Sequence, residues 1–164
     1  MADKAKSPGP GLPARAYAGF IIVAGLLRSP LLLLIRLYWG WQFHLTGAGK
    51  LKNLEKTTQF FQSLHIPLPH LNAVIVSLTE MIGGLMLILG LGSRAFAAVL
   101  AFDMIVAFLT ADIDKVKHIW DQSDKFVSAD PFLFLFACAI IVAFGPGIFS
   151  VDALVKRRRQ NGGT

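Results

Sequence analysis

The feature that most constrains this chain is a set of long apolar runs almost free of charge. Crossing the hydrocarbon core of a bilayer takes about 20 mostly apolar residues in a helix. Residues 68–91 meet that requirement with one acid, Glu80, inside them. Residues 94–111 meet it with Asp103 inside, and residues 131–149 meet it with no charge at all. A fourth run, 29–46, is interrupted by Arg36, Gln42 and His44, but it is bounded by Arg28 on one side and by Gly47-Ala48-Gly49-Lys50 on the other. Four such runs predict an all-α fold: an integral membrane bundle of four transmembrane helices.

Composition supports this reading. Over 164 residues, 54% are hydrophobic and only 16% charged, and the mean hydropathy is +0.58. A soluble domain is about a quarter charged, so these charges are too few to cover a soluble surface of this size. The net charge of +6 comes from basic residues at the ends of the apolar runs, where membrane topology calls for them. It does not form a basic stripe with interleaved aromatics, so nucleic acid is not an expected partner.

Between the runs the chain is organised by short patterns. Residues 1–16 are polar and rich in Pro, Gly and Lys, which reads as a disordered cytoplasmic tail. Residues 17–27 are too short to span. They either lie in the interface or extend the first span through a kink at Pro30. The interfacial reading is preferred because Arg28 then sits among the lipid headgroups. In residues 50–64, Leu51, Leu54, Phe61 and Leu64 recur at helical spacing. In 113–125, Ile113, Val116 and Trp120 do the same. Both segments read as amphipathic interfacial helices. Gly90-Leu91-Gly92-Ser93 makes a tight hairpin between two spans. Gly145-Pro146-Gly147 ends the last span, after which Ser150 can cap an exit helix with Asp152 in its first turn. The expected organisation is therefore a tail and interfacial segment at 1–28, a membrane domain at 29–152 and a basic tail at 153–164.

Orientation follows from the cations outside the spans. Lys4, Lys6, Arg15, Arg28, Arg94 and the cluster Lys156, Arg157, Arg158 and Arg159 fall on one side. Lys50, Lys52, Lys56, Lys115, Lys117 and Lys125 fall on the other. The first group is larger and denser, and the positive-inside rule places it, with both termini, in the cytoplasm.

Three ionisable residues lie within the spans: Arg36, Glu80 and Asp103. A charge in the bilayer core costs several kcal/mol unless it is paired or hydrated. At a rise of about 1.5 Å per residue, Arg36 lies roughly 12 Å from Arg28, Glu80 roughly 18 Å from the Gly92 turn and Asp103 roughly 14 Å from Arg94. All three are thus expected at mid-depth, converging on one buried polar site in which Arg36 pairs with Glu80. That site either binds a ligand or relays protons, or it is an ion pair that fixes packing. Around it, Tyr38, Trp41, Gln42 and His44 form either an outer aromatic belt or a flat site for a quinone-like ring, with Gln42 or His44 as hydrogen-bond partner. Ser77, Glu80 and Gly84 share one helix face, where the small residues allow close approach.

No phosphate-binding loop, helix-borne His-x-x-x-His, metal quartet or Ser-His-Asp arrangement is present in the sequence. Cys138 is the single cysteine, so no disulfide or dithiol forms within the chain. No catalytic residue is assigned, no metal site is expected, and whether the chain is an enzyme stays open.

In order along the chain come Arg36-Leu-Tyr-Trp-Gly40, Gly47-Ala-Gly-Lys-Leu51, His65-Ile66-Pro67, Glu80-Met-Ile-Gly-Gly84 running into Leu-Ile-Leu-Gly-Leu-Gly-Ser-Arg94, and Gly145-Pro-Gly-Ile-Phe-Ser-Val-Asp152. Together, over residues 29–152, these pieces resemble the DoxX family of bacterial four-helix membrane proteins. The resemblance implies a multi-pass protein of the bacterial inner membrane. Some family members are linked to quinone-dependent thiosulfate oxidation or to redox-stress assemblies. The leading expectation is therefore a membrane subunit of a quinone-linked redox system, with the lipid bilayer and other membrane subunits as partners and quinone as the one cofactor to consider. The alternative is a non-enzymatic scaffold or assembly subunit. A small-solute or proton transporter comes third, since four helices line a path poorly without oligomerisation.

Overall fold

A computed structural model describes residues 12–162. They form eight helices and no strand: α1 Leu12–Lys52, α2 Leu54–Ser63, α3 Pro69–Leu89, α4 Ser93–Thr110, α5 Ile113–Lys117, α6 Ser123–Val127, α7 Asp130–Phe144 and α8 Val151–Asn161. Four of them, α1, α3, α4 and α7, pack in a closed ring in which α1 touches α3 and α7, and α4 touches the same two. Among the described residues, α3 and α4 are long and apolar enough to cross a membrane, while α7 is apolar but shorter, at 15 residues.

The expected exit helix begins where the sequence placed it. Ser150 Oγ accepts the Ala153 N–H at 3.1 Å, satisfying one of the donors that a helix start leaves free. The hairpin between α3 and α4 turns at Gly90 and Gly92, whose φ angles of 73° and 58° lie in the left-handed region that glycine enters without a Cβ clash. The amphipathic segment after the first span becomes α2, which packs on α3 and buries none of its residues fully. The second amphipathic segment breaks into the short turns α5 and α6, and Phe126 of α6 stacks on Phe108 of α4 at 5.0 Å between ring centroids.

The N-terminal expectation is corrected. Residues 17–27 are not a separate segment, because α1 runs unbroken from Leu12 to Lys52 with Pro30 inside it. Proline removes one backbone donor, yet an apolar helix tolerates it when its surroundings resatisfy the freed groups. Residues 12–16, expected in the disordered tail, belong to this helix as well. The rest of that tail lies outside the described residues.

α1 and α3 run antiparallel at very close range. A Cβ on Gly40 would meet the backbone of Gly84 and Ile88, and one on Gly47 would meet the backbone of Ser77 and Met81. Small residues at these points let the two backbones touch and so fix the register. On the other side of the ring, Phe134 of α7 lies edge-on to Phe43 of α1 at 4.6 Å and to Trp39 at 5.0 Å. The core between the helices is Phe43, Leu87, Ala97, Leu100, Met104, Cys138 and Ile141. Cys138 is therefore a packing residue. Outward, Leu34, Leu85, Phe102 and Phe136 are exposed, an apolar exterior suited to lipid.

Candidate functional site

The buried charges form two centres rather than one. At one end of the ring, Arg36 is 1% exposed. Its guanidinium donates to Leu87 O at 2.8 Å from Nε, to Ile88 O at 3.0 Å from Nη2, and to Pro146 O and Phe149 O from Nη1. The Leu87 and Ile88 carbonyls belong to the last turn of α3, where a helix has acceptors without internal donors. One cation thus closes the end of α3 and ties to it the chain that leaves α7. Beside it, the Asp152 carboxylate accepts the Gly92 N–H at 2.8 Å and the Ser93 N–H at 3.0 Å, and Asp152 N–H donates to Gly90 O at 3.0 Å. Asp152 is the acid whose charge reaches Arg36.

At the other end, Lys50, in the last turn of α1, reaches Glu80 on α3. Its Nζ lies 2.6 Å from Glu80 Oε1, with Glu80 2% exposed and Lys50 34%. Asp103 on α4 faces Glu80 closely enough for the two carboxyl groups to interact. Glu80 Oε2 and Asp103 Oδ2 are both buried without a hydrogen-bond partner among the described residues. Lys50, Glu80 and Asp103 line an open cavity of about 580 Å³ between α2, α3 and α4, whose other walls include Phe60, Phe61, Val76 and Met104.

The expected triad of Arg36, Glu80 and Asp103 is thus split: Glu80 meets Asp103, but Arg36 meets neither. The reason is register. With Gly40 against Gly84 and Ile88, the Arg36 side chain falls at the final turn of α3. Glu80 lies eight residues earlier than Ile88, about 12 Å away along the helix. α1 continues past Arg28, whose Nη2 donates to Phe144 O at the end of α7, at 2.9 Å. The true cation, Lys50, sits where sequence alone reads a loop charge. Its signal was the length of a lysine side chain, which can reach back along apolar surface from a helix end.

The remaining candidates lie elsewhere, and none of them lines the cavity. Tyr38 is 59% and Trp41 53% exposed on the outer face. Gln42 Nε2 donates to Tyr38 Oη at 3.3 Å. His44 stacks on Trp41 at 5.7 Å between centroids and places Nδ1 3.2 Å from Met81 O. Ser77 is buried, its hydroxyl donating to Ala73 O, and Gly84 meets Gly40. These residues join α1 to α3 or face outward. The aromatic wall comes instead from α2, through Phe61, which the sequence pattern placed on the apolar face of an interfacial helix, and its neighbour Phe60.

The sequence profile of the DoxX family matches residues 31–112, a stretch that contains Arg36, Lys50, Glu80, Asp103 and all of α2. The Bacillus subtilis (strain 168) protein named "Putative oxidoreductase CatD" is 31% identical over 130 residues, covering 79% of this chain and 90% of that protein. "Inner membrane protein YphA" of Escherichia coli (strain K12) is 30% identical over 134 residues, covering 78% of this chain and 92% of its own length. No solved structure matches the chain.

Proposed function

Because this chain belongs to the DoxX family of membrane proteins, we propose that it is a bacterial inner-membrane subunit of a quinone-linked redox system and binds the quinone ring in the α2–α3–α4 cavity. In this reading α1, α3, α4 and α7 all cross the bilayer, with both termini in the cytoplasm. The observation that carries the proposal is the cavity itself: apolar, aromatic-walled and ending on Lys50, Glu80 and Asp103. Ligand pockets combine mostly apolar walls with a few convergent polar groups in about 300–1,000 Å³. A membrane-soluble ring with polar oxygens at its edge matches that division.

Phe60 and Phe61 offer flat surface to the ring, while the charged trio fixes its polar edge. A quinone, when bound, supplies two-electron carrier chemistry; the chain supplies binding, orientation and groups that exchange protons with the ring oxygens. The Bacillus relative carries the name "Putative oxidoreductase CatD", which is in keeping with a redox reading.

Purified protein should retain quinone detectable by mass after extraction, and should bind a short-chain quinone in equilibrium dialysis. Lys50→Met should lower that affinity about tenfold or more, the effect of losing one hydrogen bond from a charged donor to a ring carbonyl. Wild-type protein that neither retains nor binds quinone, together with unchanged quinone-dependent oxidation in cells lacking it, would end this reading.

A further inference from the structure

The opposite end of the ring carries a second recess, of about 440 Å³, where α4 begins, α7 ends and α8 leaves. Gly92, Ala95, Gly145 and Ala153 line much of it, and residues with so little side chain leave the space unfilled. Arg94 and Lys156 line it as well, and both are exposed. The Arg94 guanidinium lies against Gly145, where a Cβ would come within 3.3 Å of its Nε, and its Nη2 reaches Ala143 O at 3.4 Å. A third cation adjoins from α1. Arg28 donates to Phe144 O, and its Cζ lies 5.4 Å from the centre of the Phe144 ring, which is part of the lining. Each guanidinium thus holds the end of α7 with one N–H and keeps the rest of its five donors for something else.

The charges here are one-sided. Among the described residues, Arg28, Arg94 and Lys156 pair with no carboxylate. Asp152 is the one acid in the lining, and its two oxygens are held by the Gly92 and Ser93 N–H groups. Those are the donors with which the start of α4 would otherwise draw an anion, so side-chain cations carry the attraction. The acids from Glu55 to Asp130 lie in the spans or at the other end of the ring. Beside the cations, Phe144, Phe149 and Leu154 are each more than half exposed. A cationic recess next to bare apolar surface, at the end of a helix long and apolar enough to cross a membrane, has the two-part chemistry of a lipid at headgroup level.

We propose that this recess binds an anionic phospholipid, its phosphodiester seated between Arg94 and Lys156 with Arg28 alongside, and its acyl chains against the exposed face of Phe144. A guanidinium matches phosphate oxygens in pairs. A zwitterionic headgroup adds an ammonium, which would meet three cations and an acid already bonded, so a headgroup of net negative charge is favoured. Free phosphate offers the same oxygens but leaves the apolar surface uncovered. The site does not depend on what the α2–α3–α4 cavity binds.

The test titrates the full-length protein in neutral detergent with three probes, read by native mass spectrometry: dihexanoyl-phosphatidylglycerol, dihexanoyl-phosphatidylcholine and inorganic phosphate. The phosphatidylglycerol should bind at least about tenfold tighter than either of the others, the size of one charge-assisted hydrogen bond. Arg94→Gln and Lys156→Gln should each reduce that preference and together remove it. Changing Arg157, Arg158 and Arg159 to glutamine should leave most of it. Thermal melts without lipid report whether each variant is folded. Lys156 makes no ion pair among the described residues, so an unchanged preference in Lys156→Gln overturns the proposal by itself. Equal affinity for the two lipids overturns it, as does phosphate binding as tight as that of phosphatidylglycerol, which would make the recess a site for a free anion. A preference that the tail variant abolishes as completely as the Arg94→Gln, Lys156→Gln pair also overturns it, and places the lipid on the basic tail.

Discussion

Arg36 and the Lys50–Glu80–Asp103 group are both charged centres held between apolar helices, yet they are built in opposite ways. Around Arg36 the guanidinium meets four backbone carbonyls, and the neighbouring Asp152 meets two backbone N–H groups. Both charged groups there have partners from the chain itself, and the buried group without one among the described residues is the neutral hydroxyl of Ser93. At the other end, one carboxyl oxygen of each acid has no partner among the described residues, and the group opens on a cavity. A buried charge whose bonds are all made inside the fold has its role in the fold. A buried charge left with spare valence beside a cavity is poised for something that enters. The difference separates scaffold from site without appeal to sequence position.

The largest effect that could break this comparison is at Arg36. Arg36→Leu leaves the end of α3 and the chain after α7 with unpaired acceptors, and should cost about 3–5 kcal/mol of stability. Adding Glu80→Leu or Asp103→Leu should not rescue it, since neither acid touches Arg36. Thermal unfolding in detergent measures both. Rescue by either acid variant would show that the two centres are one.

Next comes the register that keeps the centres apart. In Gly47→Ala the added methyl would meet backbone atoms of Ser77 and Met81, which cannot move aside as a side chain can. The cost should be about 2 kcal/mol, as for other overpacked contacts, and quinone affinity should fall with it because Lys50 and Glu80 shift relative to each other. Unchanged stability and affinity would show that the close contact does not set the register.

Lys50→Met sharpens the contrast at the cavity end. It leaves Glu80 buried without its cation, but Lys50 is a third exposed, so solvent screening reduces the loss to about 1–2 kcal/mol. The double variant Lys50→Met with Glu80→Leu should recover most of that loss. A strictly additive result in the double-variant cycle would mean that the pair contributes nothing.

The smallest effect is expected at Asp152. Asp152→Ala removes the acceptor for the Gly92 and Ser93 N–H groups and should cost about 1 kcal/mol, the usual worth of a helix cap. Ligand binding at the far end of the ring should not change. A loss of quinone affinity in this variant would show that the two ends are coupled.

The sequence by itself determined the environment of each stretch. Apolar runs far longer than a soluble helix face requires, the glycine turn at Gly90 and Gly92, the cap at Ser150 and the break at Gly145-Pro146-Gly147 all act within a few residues of themselves, and so could be read locally. The ordered pieces around Arg36, Glu80 and Asp152 also carried the family. Tertiary structure alone decided which charges meet. Hydropathy reports how deeply a residue prefers to be buried, and three buried charges at similar apparent depth looked like one site. Their actual heights depend on how α1 slides against α3, which Gly40, Gly47 and Gly84 settle through backbone contacts between residues some 30 to 50 positions apart. The same holds for the cavity. Nothing local marks Phe60 and Phe61 as a wall, because an amphipathic helix has the same pattern whether its apolar face meets lipid or a neighbouring pair of helices.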